Sequence, residues 1–194
     1  NLSFALLTDF RDAATEQMPD DEELLDTVRT GIISLNVKYD RPSNDTFLLF
    51  HRPRKWNPYD KFWMGYERKR GKLSELNALL RGRGMHNFSE IIGDGKYFSD
   101  IRYIITLDTD TQLPRDTAWK MIATMAHPLN QPVYCANKKR VTEGYSILQP
   151  RVSNSLPSAD SSFYARLHGN DPGTDPYTKA TSDVYQDLFL EGSF

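Results

Sequence analysis

Cysteine and histidine are scarce in this sequence, which narrows the chemistry it can support. Cys135 is the one cysteine, so no disulfide can form within the chain, and the composition favours a reducing compartment. A lone cysteine is more typical of a small packed residue than of a nucleophile. The four histidines do not follow metal-ligand spacing, and we assign them no chemistry.

Long apolar runs and an excess of one charge are also lacking. No run approaches the ~20 apolar residues of a membrane-spanning helix, and no signal-peptide pattern is present. With 24 basic and 26 acidic residues the net charge is -2, so nothing indicates a nucleic-acid partner. Because the chain begins at Asn1 and ends at Phe194 without the usual terminal signals, we expect a soluble piece excised from a longer protein.

Strand and helix patterns alternate along the chain, which predicts an α/β architecture in a single domain, 1–194. The clearest helix pattern, at 19–39, has apolar residues at helical spacing and an acidic first turn that suits the helix dipole. The prediction comprises strands at 2–8, 46–51, 101–107, 133–136 and 145–152, helices at 19–39, 64–81, 114–126 and 177–190, and loops at 52–60, 153–162 and 170–176.

The most informative segment is the apolar run 101–107, which is followed by Asp108, Asp110 and Pro114. Proline favours the first position of a helix, and residues two apart in an extended backbone point to the same face. We therefore expect two neighbouring carboxylates at the end of a buried strand, where open α/β sheets bind ligands. Such a pair suits a divalent cation that also binds substrate phosphates. This is the layout of the Asp-x-Asp metal site of nucleotide-sugar glycosyltransferases.

Other kinds of site fit the same aspartates less well. An EF-hand loop starting at Asp108 would need a glycine and an acidic residue where the chain has Leu113 and Trp119, so that class is excluded. A haloacid-dehalogenase-like phosphohydrolase would use Asp108 as its nucleophile, but Gln112 stands where that motif has threonine. A solvated turn in which the aspartates cap the following helix stays open.

Further polar residues are candidates for ligand binding. Asp9 ends the first predicted strand, and a carboxylate there can accept hydrogen bonds from the base or ribose of a nucleotide. Lys72 follows Gly71 in a basic segment, where glycine permits close backbone approach to a ligand and lysine offers a point charge to phosphate. Capping, a solvated helix face and ordinary polar surface are the structural alternatives. Candidates for a sugar-hydroxyl network on the acceptor side are Gln149, Arg151, Asp183, Asp187 and Glu191.

Five sequence blocks in a fixed order carry a resemblance that a single Asp-x-Asp motif would not. They are residues 5–13 (ALLTDFRDA), 67–73 (ERKRGKL), 106–114 (TLDTDTQLP), 147–153 (ILQPRVS) and 182–189 (SDVYQDLF). Together they resemble the glycosyltransferase domain of cyclic β-1,2-glucan synthases. The similarity extends over essentially the whole chain.

The resemblance implies a GT-A fold with a mostly parallel central sheet flanked by helices, incomplete at both ends of this chain. It also implies UDP-glucose as the donor, Mg²⁺ or Mn²⁺ as the cofactor, and inverting transfer of glucose to a growing β-1,2-glucan acceptor. Asp108 and Asp110 match the family's metal and diphosphate motif. Asp9 matches the acidic position that contacts uridine in related enzymes, and Lys72 matches a Gly-Lys element near the donor. Gln149 and Arg151 match a strand beside the acceptor channel.

The resemblance further implies a much larger parent protein. That parent is implied to lie in the bacterial inner membrane, with this domain on the cytoplasmic face and its other domains as partners. The general base is expected beyond Phe194, so the catalytic residue is unknown here and the isolated piece is expected to be inactive or weakly active. A non-catalytic nucleotide-sugar-binding module is the remaining alternative.

Overall fold

A computed structural model of the protein describes residues 2–39, 46–93, 98, 100–150 and 163. The chain divides into two units, Asn1–Ile104 and Ile105–Phe194. Helices and strands are mixed along the described residues, which confirms the α/β expectation. The elements are β1 (Phe4–Asp9), α1 (Asp21–Lys38), β2 (Phe47–Arg52), β3 (Lys55–Asn57), β4 (Phe62–Met64), α2 (Arg68–Leu80), β5 (Glu90–Ile92), α3 (Thr117–Ala126), β6 (Val133–Cys135) and β7 (Arg140–Glu143).

The main sheet of the first unit has the strand order β1-β2-β5. β1 and β2 are parallel, with Asp9 opposite Arg52, and β5 pairs antiparallel with the other edge of β2. The apolar β2 is the central strand of this sheet and the most buried of the described strands. Its side chains form a core with the apolar face of α2 and two further aromatic residues. The core comprises Leu48, Phe50, Leu76, Leu79, Phe88 and Phe98.

A hairpin replaces the loop expected at 52–60. β3 and β4 are antiparallel, with Trp56 opposite Trp63 and their rings 5.9 Å apart. Trp63 also exchanges two backbone hydrogen bonds of 2.9 Å with Ala13. The loop prediction was wrong because strands of three residues are too short to show the alternation that identifies a strand.

The helices of the described residues follow the sequence pattern, although each of them begins later than expected. α1 is confirmed within two residues at its start and one at its end. α2 begins at Arg68 because the preceding residues belong to β4 and because Glu67 has a left-handed backbone (φ 48°). α3 begins at Thr117, after Asp116 with φ 66°, so Pro114 is not the first residue of the helix.

Residues 101–107, which were expected to form a strand, are described by the structure but form none. Six of these seven residues are exposed, and none is assigned to a strand. An extended apolar run becomes a strand only where a neighbour accepts its backbone hydrogen bonds, and no described strand pairs with this one. The expectation of a buried strand leading to Asp108 was therefore wrong.

In the second unit, β6 and β7 form an antiparallel hairpin that follows α3. The strand expected at 133–136 is confirmed as β6, whereas β7 was missed and residues 145–150 form no strand. Of the four strand pairings in the described chain, one is parallel and three are antiparallel, so these residues do not form a mostly parallel sheet. The expected helix 177–190 and the loops 153–162 and 170–176 lie outside the described residues.

None of the helices in the described part of the chain is both long enough and apolar enough to cross a membrane.

Candidate functional site

The carboxyl ends of β1 and β2 lie at the same edge of the sheet, and each strand ends in a charged residue. Asp9 is the last residue of β1 and Arg52 is the last residue of β2. Arg52 Nε donates to Asp9 Oδ1 at 2.7 Å, and Nη2 donates to Oδ2 at 3.1 Å. In parallel α/β sheets this edge is where ligands bind.

Arg52 also binds groups of α2 and of the turn that precedes it. Its Nη1 donates to Glu75 Oε2 at 2.7 Å, and the carbonyl oxygens of Tyr66 and Arg68 each accept a bond of 3.2 Å. The side chain is 2 % exposed. Burial opposes the guanidinium charge, but hydrogen bonds to Asp9 and Glu75 outweigh burial and raise the pKa of Arg52.

Lys72 lies in the second turn of α2 and points to the same carboxylate. Its Nζ is 3.2 Å from Asp9 Oδ2. The structure thus brings together Asp9 and Lys72, both of which the sequence predicted to bind the donor. Sequence reasoning missed Arg52 and Glu75. Arg52 could have been found from its position, because it is a charged residue directly after the apolar strand predicted at 46–51.

Two glycines permit close packing at and near this carboxylate. A Cβ atom on Gly65 would lie 2.7 Å from Asp9 Cγ, which is shorter than any ordinary contact. A Cβ on Gly71 would collide with the backbone carbonyl of Tyr66. The expectation that Gly71 admits a ligand was therefore wrong, because the glycine instead lets α2 pack on its own preceding turn.

A cleft of about 280 Å³ opens beside Asp9, between the end of β1 and α1. Its volume is just below the range of about 300–1,000 Å³ that is typical of small-molecule sites. One wall is apolar and comes from Leu24, Leu25 and Val28 of α1. The remaining lining residues are Thr8, Asp9, Phe10, Arg11, Asp20, Asp21 and His51.

His51 is the most deeply buried ionisable group that lines the cleft, with 3 % of its surface exposed. Its Nδ1 shares a 2.8 Å hydrogen bond with the Thr8 hydroxyl, and its ring meets that of Phe10 edge-on at 4.2 Å. Its Nε2 has no hydrogen-bond partner among the described residues. Burial lowers the pKa of His51 despite the nearby Asp9 carboxylate, so the neutral ring is favoured at neutral pH.

Asp21, at the start of α1, forms a buried ion pair with Arg54. Arg54 donates from both terminal nitrogens to the Asp21 carboxylate, the Nη2–Oδ1 bond being 2.9 Å. The guanidinium also lies 4.8 Å from the centre of the Phe10 ring. The hydrogen bond from Arg54 holds the pKa of Asp21 below its ordinary value, although burial acts in the opposite direction. This pair fixes the first turn of α1 against the hairpin segment.

The predicted metal ligands, Asp108 and Asp110, belong to the second unit and lie on an exposed turn. The Thr111 amide donates to the Asp108 carbonyl at 3.0 Å, so the backbone is turned there rather than extended. The argument that extended geometry places both carboxylates on one face was therefore wrong. Their role as metal ligands stays a prediction.

The donor set of this turn is nevertheless of the kind that Mg²⁺ or Mn²⁺ accepts. Magnesium is usually held by one or two carboxylates, with water and phosphate oxygens completing the shell. Both aspartates are exposed. The described residues contain no cluster of three or more His, Cys, Asp or Glu side chains that could hold a metal by itself.

The acceptor-side candidates are largely outside the described residues. Gln149 is exposed, in a segment that forms no strand. Arg151, Asp183, Asp187 and Glu191 lie in parts of the chain that the structure does not describe, so their roles stay predictions.

Comparison with known proteins indicates similarity to part of a glucan synthase. One relative is the cyclic beta-(1,2)-glucan synthase NdvB of Rhizobium meliloti (strain 1021), which is 42% identical over 192 residues. The match covers 98% of this chain but 7% of the relative, so the chain spans a small part of that protein's length. No family model matches the chain. The similarity supports the resemblance found in the sequence, while the GT-A fold stays a prediction.

Proposed function

We propose that this chain is part of a glycosyltransferase that moves glucose from UDP-glucose to a growing β-1,2-glucan, with inversion at the anomeric carbon. The similarity to a glucan synthase supports the reaction class. The observation that carries the proposal is the contact between Asp9 and Lys72 at the carboxyl ends of two parallel strands. A hydrogen-bond acceptor and a cation at this edge of a sheet suit the two ends of a nucleoside diphosphate.

In this proposal each donor-site residue has a distinct role. The Asp9 carboxylate accepts hydrogen bonds from the uridine part of the donor, and Lys72 places a positive charge near its diphosphate. The cleft beside Asp9 offers an apolar wall for a planar base. Because its positive charge is near the diphosphate, Lys72 stabilises the negative charge that develops on the departing UDP.

Asp108 and Asp110 would hold Mg²⁺ or Mn²⁺, and the resemblance also assigns Asp108 to donor binding. The cation, when bound, supplies electrostatic stabilisation of the leaving group. The general base that deprotonates the attacking hydroxyl is expected beyond Phe194.

We also propose that the parent protein lies in the bacterial inner membrane with this part on the cytoplasmic side, that its other domains are partners, and that no nucleic acid is bound.

Titration calorimetry of this chain with UDP-glucose, with and without Mg²⁺ or Mn²⁺, tests the proposal. We expect metal-dependent binding that weakens by at least about tenfold, or about 1.4 kcal/mol, in Asp110→Asn. Asp116→Asn is the matched control, because Asp116 is an exposed aspartate of the same segment. Binding that needs no metal would indicate a nucleotide-sugar-binding module instead, and no binding to the wild-type chain would contradict the proposed donor site.

A further inference from the structure

The Asp9 carboxylate has two cationic partners that differ in burial and in geometry. Arg52 is 2 % exposed and donates to both carboxylate oxygens. Lys72 is 24 % exposed and approaches Oδ2 alone, at 3.2 Å. A partly exposed ion pair with a single contact contributes much less than a buried bidentate one, so Lys72 is the partner that can leave.

We propose that Arg52 is the positioning residue of this site, holding Asp9 in place by itself so that Lys72 can exchange Asp9 for the phosphate of an anionic ligand. This inference rests on the proposed function, because it concerns how the same donor site accepts a diphosphate.

The Arg52 guanidinium is fixed by every donor it has. A guanidinium carries five N–H groups, and Arg52 makes five hydrogen bonds: two to Asp9, one to Glu75, and one to each of the carbonyls of Tyr66 and Arg68. The group can therefore neither rotate nor follow Asp9 without losing a buried hydrogen bond. Its position does not depend on Lys72, to which it makes no contact among these bonds.

The charges of the cluster also permit Lys72 to leave. Asp9 and Glu75 face Arg52, and Glu75 is additionally 3.5 Å from Lys55. After Lys72 has moved, two carboxylates are still matched by two cations. A buried carboxylate without a partner is strongly unfavourable, and this arrangement avoids that state.

Binding of inorganic pyrophosphate in metal-free buffer tests the exchange without requiring the sugar donor. Lysine labelled with ¹⁵N at Nζ reports whether Lys72 leaves Asp9 when pyrophosphate is added, and calorimetry gives the affinity. We expect pyrophosphate to shift the Lys72 signal. We expect Arg52→Lys to weaken pyrophosphate binding about tenfold, because Asp9 then retains Lys72 as its main partner.

A double-mutant cycle separates positioning from a general structural role. In a Lys72→Gln background, Arg52→Lys should change pyrophosphate affinity less than about twofold, since no lysine remains to be released. Arg54→Lys is the matched control for loss of a buried arginine fork, because Arg54 binds Asp21 and not Asp9. It should lower thermal stability while leaving pyrophosphate affinity within about twofold of the wild type.

The inference would be overturned if Arg52→Lys and Lys72→Gln reduced pyrophosphate affinity independently, so that their effects multiplied in the double variant. It would also be overturned if pyrophosphate bound without changing the Lys72 signal, or did not bind at all. The titration with UDP-glucose and metal is a separate measurement. If it fails while the pyrophosphate cycle shows coupling, the exchange stands and the proposed donor is wrong.

Discussion

Asp9 and Arg52 are partners in the register of the parallel strands β1 and β2, and two hydrogen bonds of 2.7 and 3.1 Å join their side chains. The register aligns two residues that are 43 positions apart in sequence. A charged pair is thereby placed at the ligand-binding edge of the sheet, with the arginine fully buried. This relationship connects the stability of the first unit to its proposed function.

Removal of one partner should be costly to the fold. Arg52→Gln removes the buried cation and leaves Asp9 and Glu75 only their more exposed partners, Lys72 and Lys55. We expect the free energy of unfolding to fall by about 3–5 kcal/mol in urea titrations. Asp9→Asn in the same chain should recover part of this loss, because it removes one of the two carboxylate charges.

The exposed pair of Arg70 and Glu67 provides the comparison. Their side chains are 82 % and 38 % exposed, so Arg70→Gln should change the free energy of unfolding by less than about 1 kcal/mol. Equal losses at the two arginines would contradict the role assigned to burial.

Gly65 should be required for the geometry of Asp9. In Gly65→Ala the new methyl group would lie 2.7 Å from Asp9 Cγ, so the carboxylate or the turn must move. We expect UDP-glucose affinity to fall by about tenfold or more, or 1.4 kcal/mol, in calorimetry. If Asp9 acted only through its charge at long range, UDP-glucose affinity would change much less in Gly65→Ala.

Gly31→Ala is the control for this substitution. Gly31 lies within α1, and an added Cβ there has no atom within 4 Å. Alanine should stabilise the helix by about 0.5–1 kcal/mol and leave ligand affinity unchanged. Loss of affinity in both variants would indicate a general effect of glycine replacement.

The sequence was sufficient to locate β1, α1 and β2, because each has a long apolar pattern with a clear end. It also selected Asp9 and Lys72 as donor-binding candidates, and the structure brings their side chains together, while their role in donor binding stays a prediction. It could not identify Arg52 as their partner, because that contact depends on strand register. Periodicity also failed at 101–107, where an apolar pattern meets no neighbouring strand in the described chain.

Asp21 should contribute to the acid sensitivity of the fold. Its folded-state pKa lies below the ordinary value of 3.8, chiefly because Arg54 donates hydrogen bonds to it. The unfolded state therefore binds more protons as the pH falls below about that value, and the stabilisation present above it is lost on passing through the folded pKa. In Asp21→Asn, urea titrations between about pH 5 and 2.5 should show a shallower decline of the free energy of unfolding than in the wild type.

Asp20→Asn changes the adjacent aspartate, whose pair with Arg11 is largely exposed. It should lower the free energy of unfolding at neutral pH by less than about 1 kcal/mol. If Asp21→Asn kept the wild-type decline in acid, a group other than Asp21 would be responsible for that loss of stability.

His51 should make the first unit less stable in mild acid. Burial lowers its folded-state pKa below the ordinary 6.5, so the unfolded state takes up a proton first as the pH falls. The stability that neutral His51 provides above pH 6.5 is lost as the pH passes down through the folded pKa. Protonation would also place a charge on Nε2, which has no partner among the described residues.

Urea titrations from about pH 7.5 to 5 measure this part of the decline in the free energy of unfolding. It should be absent in His51→Gln and retained in His86→Gln, which changes an exposed histidine. The opposite pattern would place the responsible proton on a group other than His51.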